Sequence, residues 1–244
     1  MEDRADRERG FHDRRFADDP RTRLGPVYRA AAAGRRRYRS LAVELGTGAD
    51  VLEVGCGRGG LSRALGSAAR SVVGVDLSPV AVAQARAAAE ASGIDVEFRV
   101  MDAESLEFPD ASFDLVCGSG ILHHVDLERA TEEIIRVLRA GGSALFLEPL
   151  GHNPLINLFR RFTPRLRSID ERPLLESDLA ALEGRLGEVS VERFALLTPL
   201  AAPLVRWSAG RRLVRWLERV DRRLIARWSP ARRWAWMVVI RARP

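Results

Sequence analysis

The sequence predicts an α/β fold: a doubly wound, mostly parallel sheet with an antiparallel last strand and helical cap insertions. Three observations carry that expectation. Between residues 50 and 148, short runs rich in Val, Leu and Phe alternate with Ala- and Leu-rich helical segments. The connections between them are brief, as strand–helix–strand crossovers in one sheet require. The strands also read as near-continuous apolar runs, the pattern of a sheet covered on both faces. With 244 residues, 46% of them hydrophobic, the chain can bury one large core and carry an elaborated cap.

The elements follow in order. Residues 1–20 are highly charged and are expected to be poorly ordered, or ordered only by docking on the rest. Pro26–Leu45 reads as an Ala- and Arg-rich helix weakened by Gly34, so residues 1–45 form an N-terminal helical extension. Asp50–Val54 is a strand, Gly59–Leu65 a helix and Ser71–Asp76 a strand. Pro79–Ala91 is a helix with Ser78 as N-cap, Pro79 at its first position and Gly93 as its stop. Val96–Val100 and Phe113–Cys117 are strands, Leu127–Arg139 a helix and Ser143–Glu148 a strand. Residues 149–176 then hold four prolines and little periodicity. A helix over Asp178–Leu186, capped by Ser177, precedes a strand over Val189–Leu197. Leu213, Leu217, Val220, Leu224 and Trp228 recur at helical spacing between arginines, and Trp234–Arg241 closes the chain as a strand. Residues 46–244 are therefore one domain with insertions at 150–176 and 199–231. The second separates the last two expected strands.

Charge is distributed unevenly. Residues 1–40 hold 12 Arg and 7 acids, residues 41–154 hold 8 and 17, residues 155–200 hold 7 and 7, and residues 201–244 hold 12 and 2. An acidic middle thus lies between basic ends, and all five tryptophans fall in the last basic segment. The chain has no lysine, which excludes Schiff-base chemistry, Tyr-x-x-x-Lys reductases and the Walker lysine. No apolar run approaches the length of a membrane span, and the charged start MEDRADRERG has no secretory apolar region. Two cysteines, Cys56 and Cys117, cannot build a disulfide framework, and the expected compartment is the reducing cytoplasm.

The stretch VLEVGCGRGG, residues 51–60, places Gly55, Gly57 and Gly60 in the pattern G-x-G-x-x-G. Such a loop between a strand and a helix lets backbone approach a nucleotide-like ligand. Gly60 is expected to permit close helix–sheet packing. The nearby acids arbitrate between ligands. Asp76 ends the second strand and suits a ribose diol, which NAD also offers. Asp102, after the third strand, suits the exocyclic amine of an adenine. Glu53, two residues before Gly55, would repel a pyrophosphate and attract an ammonium or sulfonium. That preference points to S-adenosylmethionine and leaves a nicotinamide oxidoreductase as the remote alternative.

In order over residues 48–148, VLEVGCGRGG, VVGVDLS, RVMDAESLEFPDASFDLV and LRAGGSALFLEP resemble the successive motifs of class I S-adenosylmethionine-dependent methyltransferases. The resemblance implies a Rossmann-like fold and S-adenosyl-L-methionine as cofactor. In that family the last two strands are ordinarily joined by a short hairpin, so the insertions at 150–176 and 199–231 are expected to form a cap over the acceptor pocket. It places the methionine moiety on Glu53, Gly55 and Gly57, with Cys56 between them. It places the ribose on Asp76 with Leu77 beside the adenine, and the adenine amine on Asp102 with Ala103. The end of the fourth strand, including Gly118 and Ser119, falls near the methionine.

His123 and His124 follow the fourth strand and His152 the fifth, at the carboxyl ends where open parallel sheets bind ligands. His124 and His152 are candidate bases or acceptor-orienting groups, and His123 and Asn153 are candidate acceptor contacts. The alternative for the paired histidines is packing within their loop. No metal site is expected: adjacent histidines do not easily ligate one ion, and no H-x-x-x-H accompanies them. CGSGILHHV stands where DNA amide methyltransferases carry Asn/Asp-Pro-Pro-aromatic, so nucleic acid is an unlikely acceptor. The expected enzyme methylates a small or amphipathic, lipid-linked acceptor at oxygen, with Trp- and Arg-rich residues 201–233 as a peripheral membrane contact. Two alternatives are methyl-ester formation on a peptide carboxylate, and a non-catalytic cofactor-binding module with a docking tail.

Overall fold

The computed structural model describes residues 4–18, 25–163 and 168–244. Seven strands form one sheet in the order β3-β2-β1-β4-β5-β7-β6. They are β1 Asp50–Val54, β2 Ser71–Asp76, β3 Glu97–Val100, β4 Phe113–Ser119, β5 Leu138–Pro149, β6 Glu188–Phe194 and β7 Met237–Arg243. β1 to β5 are parallel, and β7 runs antiparallel to β5 and β6 on either side of it. The strand order reverses between β1 and β4, which opens a crevice at their carboxyl ends.

Pleating divides the core into two layers. Leu52, Val54, Val116 and Phe146 pack on one face, and Val51, Leu115, Cys117, Leu145 and Leu147 on the other. Glu53 has the parity of Val51. The strand therefore aims a carboxylate into the second layer, where α3 (Ala32–Gly46) and α4 (Gly60–Leu65) pack.

Several elements differ from the sequence expectation, each for a local reason. Arg4–Asp18 forms a full helix, α1, held by docking as one of the two expected outcomes. The helix expected over 26–45 is α2 (Gly25–Ala30) and α3, separated at Ala31, whose φ of −96° and ψ of 22° leave the helical region. Gly34 lies inside α3 and admits the Phe194 ring, which a Cβ would meet at 3.3 Å. Its small size sets the packing distance. α5 (Pro79–Ser92) begins at Ser78 and Pro79 as expected and stops at Gly93. α6 (Leu127–Val137) ends two residues early because Leu138 already pairs with Phe113 in the sheet.

Within 149–176, Pro154–Phe162 forms α7, a helix that periodicity does not mark. Its signature is the same as that of α5: Asn153 caps it, its Oδ1 accepting the Ile156 N–H at 3.0 Å, and Pro154 starts it. α8 (Glu176–Leu186) begins earlier than expected, because Asp178 Oδ2 accepts the Leu175 N–H at 2.7 Å and puts Ser177 in the first turn. Between β6 and β7 the chain forms a 3-10 segment (Thr198–Leu204), α9 (Ser208–Arg227) and α10 (Ser229–Arg233). Asp221 moors α9 by accepting the N–H groups of Leu196 and Leu197, each at 3.0 Å. Among the described residues, no helix is long and apolar enough to cross a membrane.

Gly210 lets α9 start flush against the 3-10 segment, and a Cβ there would collide with the Leu204 carbonyl. Gly210→Ala is expected to cost about 1–3 kcal/mol, lowering Tm by roughly 2–12 °C in thermal denaturation. An unchanged Tm would mean that the start of the helix is free to shift.

Candidate active site

The glycine loop opens the crevice. Gly55, Gly57 and Gly59 have φ of 66°, 53° and 65°, a region that favours glycine. Gly59 makes the close helix–sheet contact, since a Cβ on it would stand 2.6 Å from the Phe98 ring. The motif predicts that role for Gly60, which instead has open space around it and faces the cavity.

Three carboxylates set the shape of this end. Asp76 Oδ2 accepts the Gly57 N–H at 2.8 Å and its Oδ1 accepts the Ser78 N–H at 2.9 Å, so one side chain fixes two turns. Asp102 Oδ1 accepts the Glu104 N–H at 2.9 Å. Glu53 Oε2 accepts the Ser62 N–H at 2.8 Å and is also bonded by the Ser62 hydroxyl. Burial pushes the Glu53 carboxyl up to about 7, with the charge of Asp76 adding to the rise and the Ser62 bonds opposing it. Burial likewise raises the thiols of Cys56 and Cys117, which stay protonated and free.

The loop after β4 is organised from β5. Glu148 is fully buried; its Oε1 accepts the N–H groups of Ile121 and Leu122 at 2.9 and 3.0 Å, and its Oε2 lies 2.6 Å from His123 Nδ1. His124 is buried beside it, its Nδ1 3.1 Å from Glu8 Oε2. Burial lowers the His124 pKa and so favours the neutral ring, with Glu8 opposing the shift. Glu8 Oε2 also lies 3.3 Å from His12 Nε2. Glu8, His12 and His124 therefore bring three potential metal-ligand atoms within 4.8 Å of one another. The spacing argument against metal does not reach this grouping, because two of its members come from the other end of the chain.

α1 roofs the crevice. Its Arg4 donates to the His124 carbonyl at 2.7 Å, and Arg7 pairs with both Asp170 oxygens at 2.9 and 3.0 Å. At the other end the Ser78 hydroxyl bonds Asp13, and Arg58 and Gln84 each donate to the Phe16 carbonyl at 3.1 Å. The Phe16 ring lies over Gly57, 3.4 Å from where its Cβ would be.

Beneath α1 a cavity of about 1130 Å³ runs from the glycine loop to α7. Of the residues singled out from sequence, Glu53, Gly55, Cys56, Gly57, Asp76, Leu77, Asp102, Ala103, Ser119, His123 and His124 line it. Three do not. Gly118 is interior to β4, where a Cβ would press on Ile121 and the Val54 carbonyl, each at 2.8 Å. His152 faces away, its Nε2 3.5 Å from the Glu176 N–H. Asn153 caps α7 and spends its amide on the Leu196 and Trp234 carbonyls at 3.2 and 2.7 Å. Glu148 lies within LRAGGSALFLEP but had no role assigned, and Ser62, Glu8 and His12 join the site without having been marked by any motif. The last two stand four residues apart on α1, a spacing that puts them on one face; nothing local says which face docks.

An S-adenosyl cofactor suits this donor set, with one partly protonated carboxyl and two carboxylates on a single chamber wall beside a glycine loop. Asp76→Ala is expected to weaken S-adenosylhomocysteine binding tenfold or more by calorimetry, since it releases the Gly57 turn and removes the acceptor expected to meet the ribose. Glu53 also makes stability pH-dependent. Its folded pKa lies above the ordinary 4.5, so its favourable contribution is complete below that value and is lost as pH rises through about 7. Glu53→Gln is thus expected to raise the Tm of the cofactor-free protein at pH 8 and to leave it nearly unchanged at pH 4.

Residues 51–142 match the family profile described as a methyltransferase domain. Demethylmenaquinone methyltransferase of Thermus thermophilus is 40% identical over 117 residues, which is 47% of this chain and 53% of that protein. Phosphatidylethanolamine N-methyltransferase of Cereibacter sphaeroides is 36% identical over 165 residues, 64% of this chain and 72% of that one. The chain spans about half the length of several other curated relatives it matches. The fold is shared with phosphoethanolamine N-methyltransferase 2 of Haemonchus contortus at a TM-score of 0.66 and 22% identity, over 100% of this chain and 61% of that one. With a Rossmann-like sheet, a glycine loop at its switch point and these relatives, the chain belongs to the class I S-adenosylmethionine-dependent methyltransferases.

Proposed function

We propose that the chain transfers a methyl group to an oxygen of a small or amphipathic, lipid-linked acceptor. The observation that carries this reading is one continuous cavity, which joins the carboxylate-lined cofactor end to a wall of His123, His124, Ile156, Phe159 and Trp236. That wall offers a polar edge for a hydroxyl and an apolar surface for the rest of an acceptor. The relative named demethylmenaquinone methyltransferase supports an acceptor of this kind. The relative named phosphatidylethanolamine N-methyltransferase supports a lipid acceptor and makes nitrogen the competing atom.

Bound in the chamber, S-adenosyl-L-methionine supplies a methyl group on a sulfonium, a leaving group that needs no further activation. The protein's work is placement, worth up to roughly 7–11 kcal/mol when two reactants are held in line. α1 covers the glycine loop with the Phe16 ring. With the cofactor held there, its methyl group would pass from sulfur to the acceptor oxygen, leaving a neutral thioether, and His124 would take the acceptor hydroxyl proton. Glu8 then faces the resulting imidazolium, and His123, held by Glu148, orients the acceptor. The base role falls to His124 because His152 lies off the cavity. The buried free cysteines fit a cytoplasmic setting, with residues 201–233 as the membrane-facing side.

A second reading has its own support. Arg14, Arg15, Arg29, Arg35, Arg39 and Arg160 line the same cavity, a set that suits an acceptor carboxylate. Methyl ester formation needs no base. Transfer of labelled methyl to a prenylated hydroquinone, phosphatidylethanolamine and a carboxyl-terminal peptide separates the cases. Label in the hydroquinone that is stable to mild base and released by hydriodic acid, as from an aryl ether, supports the first reading. Base-labile label in the peptide favours the ester, and label on the amine overturns oxygen as the acceptor atom. Absence of label from these probes and from every fraction of a cell lysate would make the chain a non-catalytic binding module. His124→Ala is expected to lower turnover by roughly 10²–10⁴-fold with cofactor affinity nearly unchanged. His152→Ala is expected to leave turnover intact. Equal turnover for His124→Ala and the parent would remove the base.

A further inference from the structure

α9 is 20 residues long, about 30 Å of helix, and its two sides differ sharply. Gly210, Val214, Leu217 and Asp221 form the buried stripe. The opposite arc exposes seven arginines between Arg211 and Arg227, with Trp216 among them. A solvated arginine face is ordinarily balanced by carboxylates at helical spacing. Here the two acids of residues 201–244 are both turned inward. Asp221 is buried on the backbone amides of Leu196 and Leu197. Glu218 pairs with Arg36 of α3 at 2.8 Å. Among the described residues, none of the seven arginines is in an ion pair.

The aromatic residues make this arc unlike an ordinary charged surface. Trp207 at the start of α9, Trp216 in its middle and Trp228 at its end are 47%, 54% and 47% exposed. Trp234 is 40% exposed and packs edge-on against Trp228 at 5.6 Å. Leu200 and Leu204 in the adjoining 3-10 segment are exposed as well. One exposed indole on the arginine arc, Trp216, and exposed indoles at the two ends of the helix, beside uncompensated guanidiniums, match the headgroup layer of a membrane. There the ring sits at the apolar boundary and arginine meets phosphate. α7 packs against the 3-10 segment, lines the cavity with Ile156 and Phe159, and leaves Leu158 and Phe162 exposed at 57% and 76%.

We propose that α9 and the turns at its two ends dock on an anionic phospholipid bilayer, the helix lying in the headgroup plane. This surface stands on its own charge and exposure and does not depend on which acceptor atom is methylated.

The chain carries its own probe, because all five tryptophans lie between 207 and 236 and four are exposed. The full-length protein is mixed with vesicles of phosphatidylcholine alone, or of phosphatidylcholine with an equal share of phosphatidylglycerol, and followed by co-sedimentation and tryptophan emission. Binding with a blue shift on the anionic vesicles is expected, with at least tenfold weaker binding on the neutral ones and a loss as salt rises from about 0.1 to 0.5 M. The triple substitution Arg215→Glu, Arg219→Glu, Arg222→Glu is expected to weaken binding at least tenfold while S-adenosylhomocysteine affinity, which reports folding, is unchanged. Should the triple variant lose that affinity, Trp216→Ala serves instead, with a smaller blue shift expected. No binding to anionic vesicles overturns the proposal, as does equal binding by parent and folded variants. Retention on short duplex DNA without any partition onto vesicles overturns it in favour of a nucleic-acid surface.

Discussion

The Gly57 N–H bond to Asp76 joins the first loop to the end of the second strand, and the site is built outward from that tie. Loops leaving the carboxyl ends of parallel strands carry backbone donors with no sheet partner, and buried donors must be satisfied. This chain meets the need repeatedly with carboxylates. Glu53 receives Ser62, Asp76 receives Gly57 and Ser78, Asp102 receives Glu104, and Glu148 receives Ile121 and Leu122. Even the remote insertion is moored this way, by Asp221 on Leu196 and Leu197. The acids that suit a ribose, an amine or a sulfonium are also those that hold the walls of the chamber in place. Loss of one would disturb geometry and ligand contact together.

Buried carboxylates have a cost, visible at Glu53, whose carboxyl is raised to about 7 by burial and by Asp76. A cationic ligand opposite it would offset that cost, so the residue that destabilises the empty fold favours the filled one. The acidic character of residues 41–154 has the same sense. The basic ends provide the roof, through α1, and the exposed arc of α9. Charge is thus divided by place, with acids at the strand ends and most arginines of the basic ends along other parts of the cavity lining and the outer surface.

α1 shows where local reading stops. Its sequence, RADRERGFHDRRFAD, has no continuous apolar face, so no periodicity marks it as a structural helix. It is held by Arg4, Arg7, Asp13 and Phe16, each bonded to a partner far along the chain. Asn153 shows a different limit. Asn-Pro before an apolar run is a cap signature, but a functional reading of the neighbouring His152 obscures it. Gly59 and Gly60 show a third, since the motif marks a close approach without saying which glycine makes it.

The sheet and the alternation of strands and helices up to β5 were legible, because they rest on short-range physics. Apolar runs of the right length, Ser78-Pro79 and Gly93 as caps, and a glycine turn followed by acids at strand ends each state their own geometry. The acceptor end was not legible. Which histidine reaches the cavity depends on where β5 ends and how Glu148 folds the loop beneath it. What faces His124 depends on a helix more than a hundred residues away in the chain. Only the packing of distant segments could decide those positions, because neither carries a local signal of its partner.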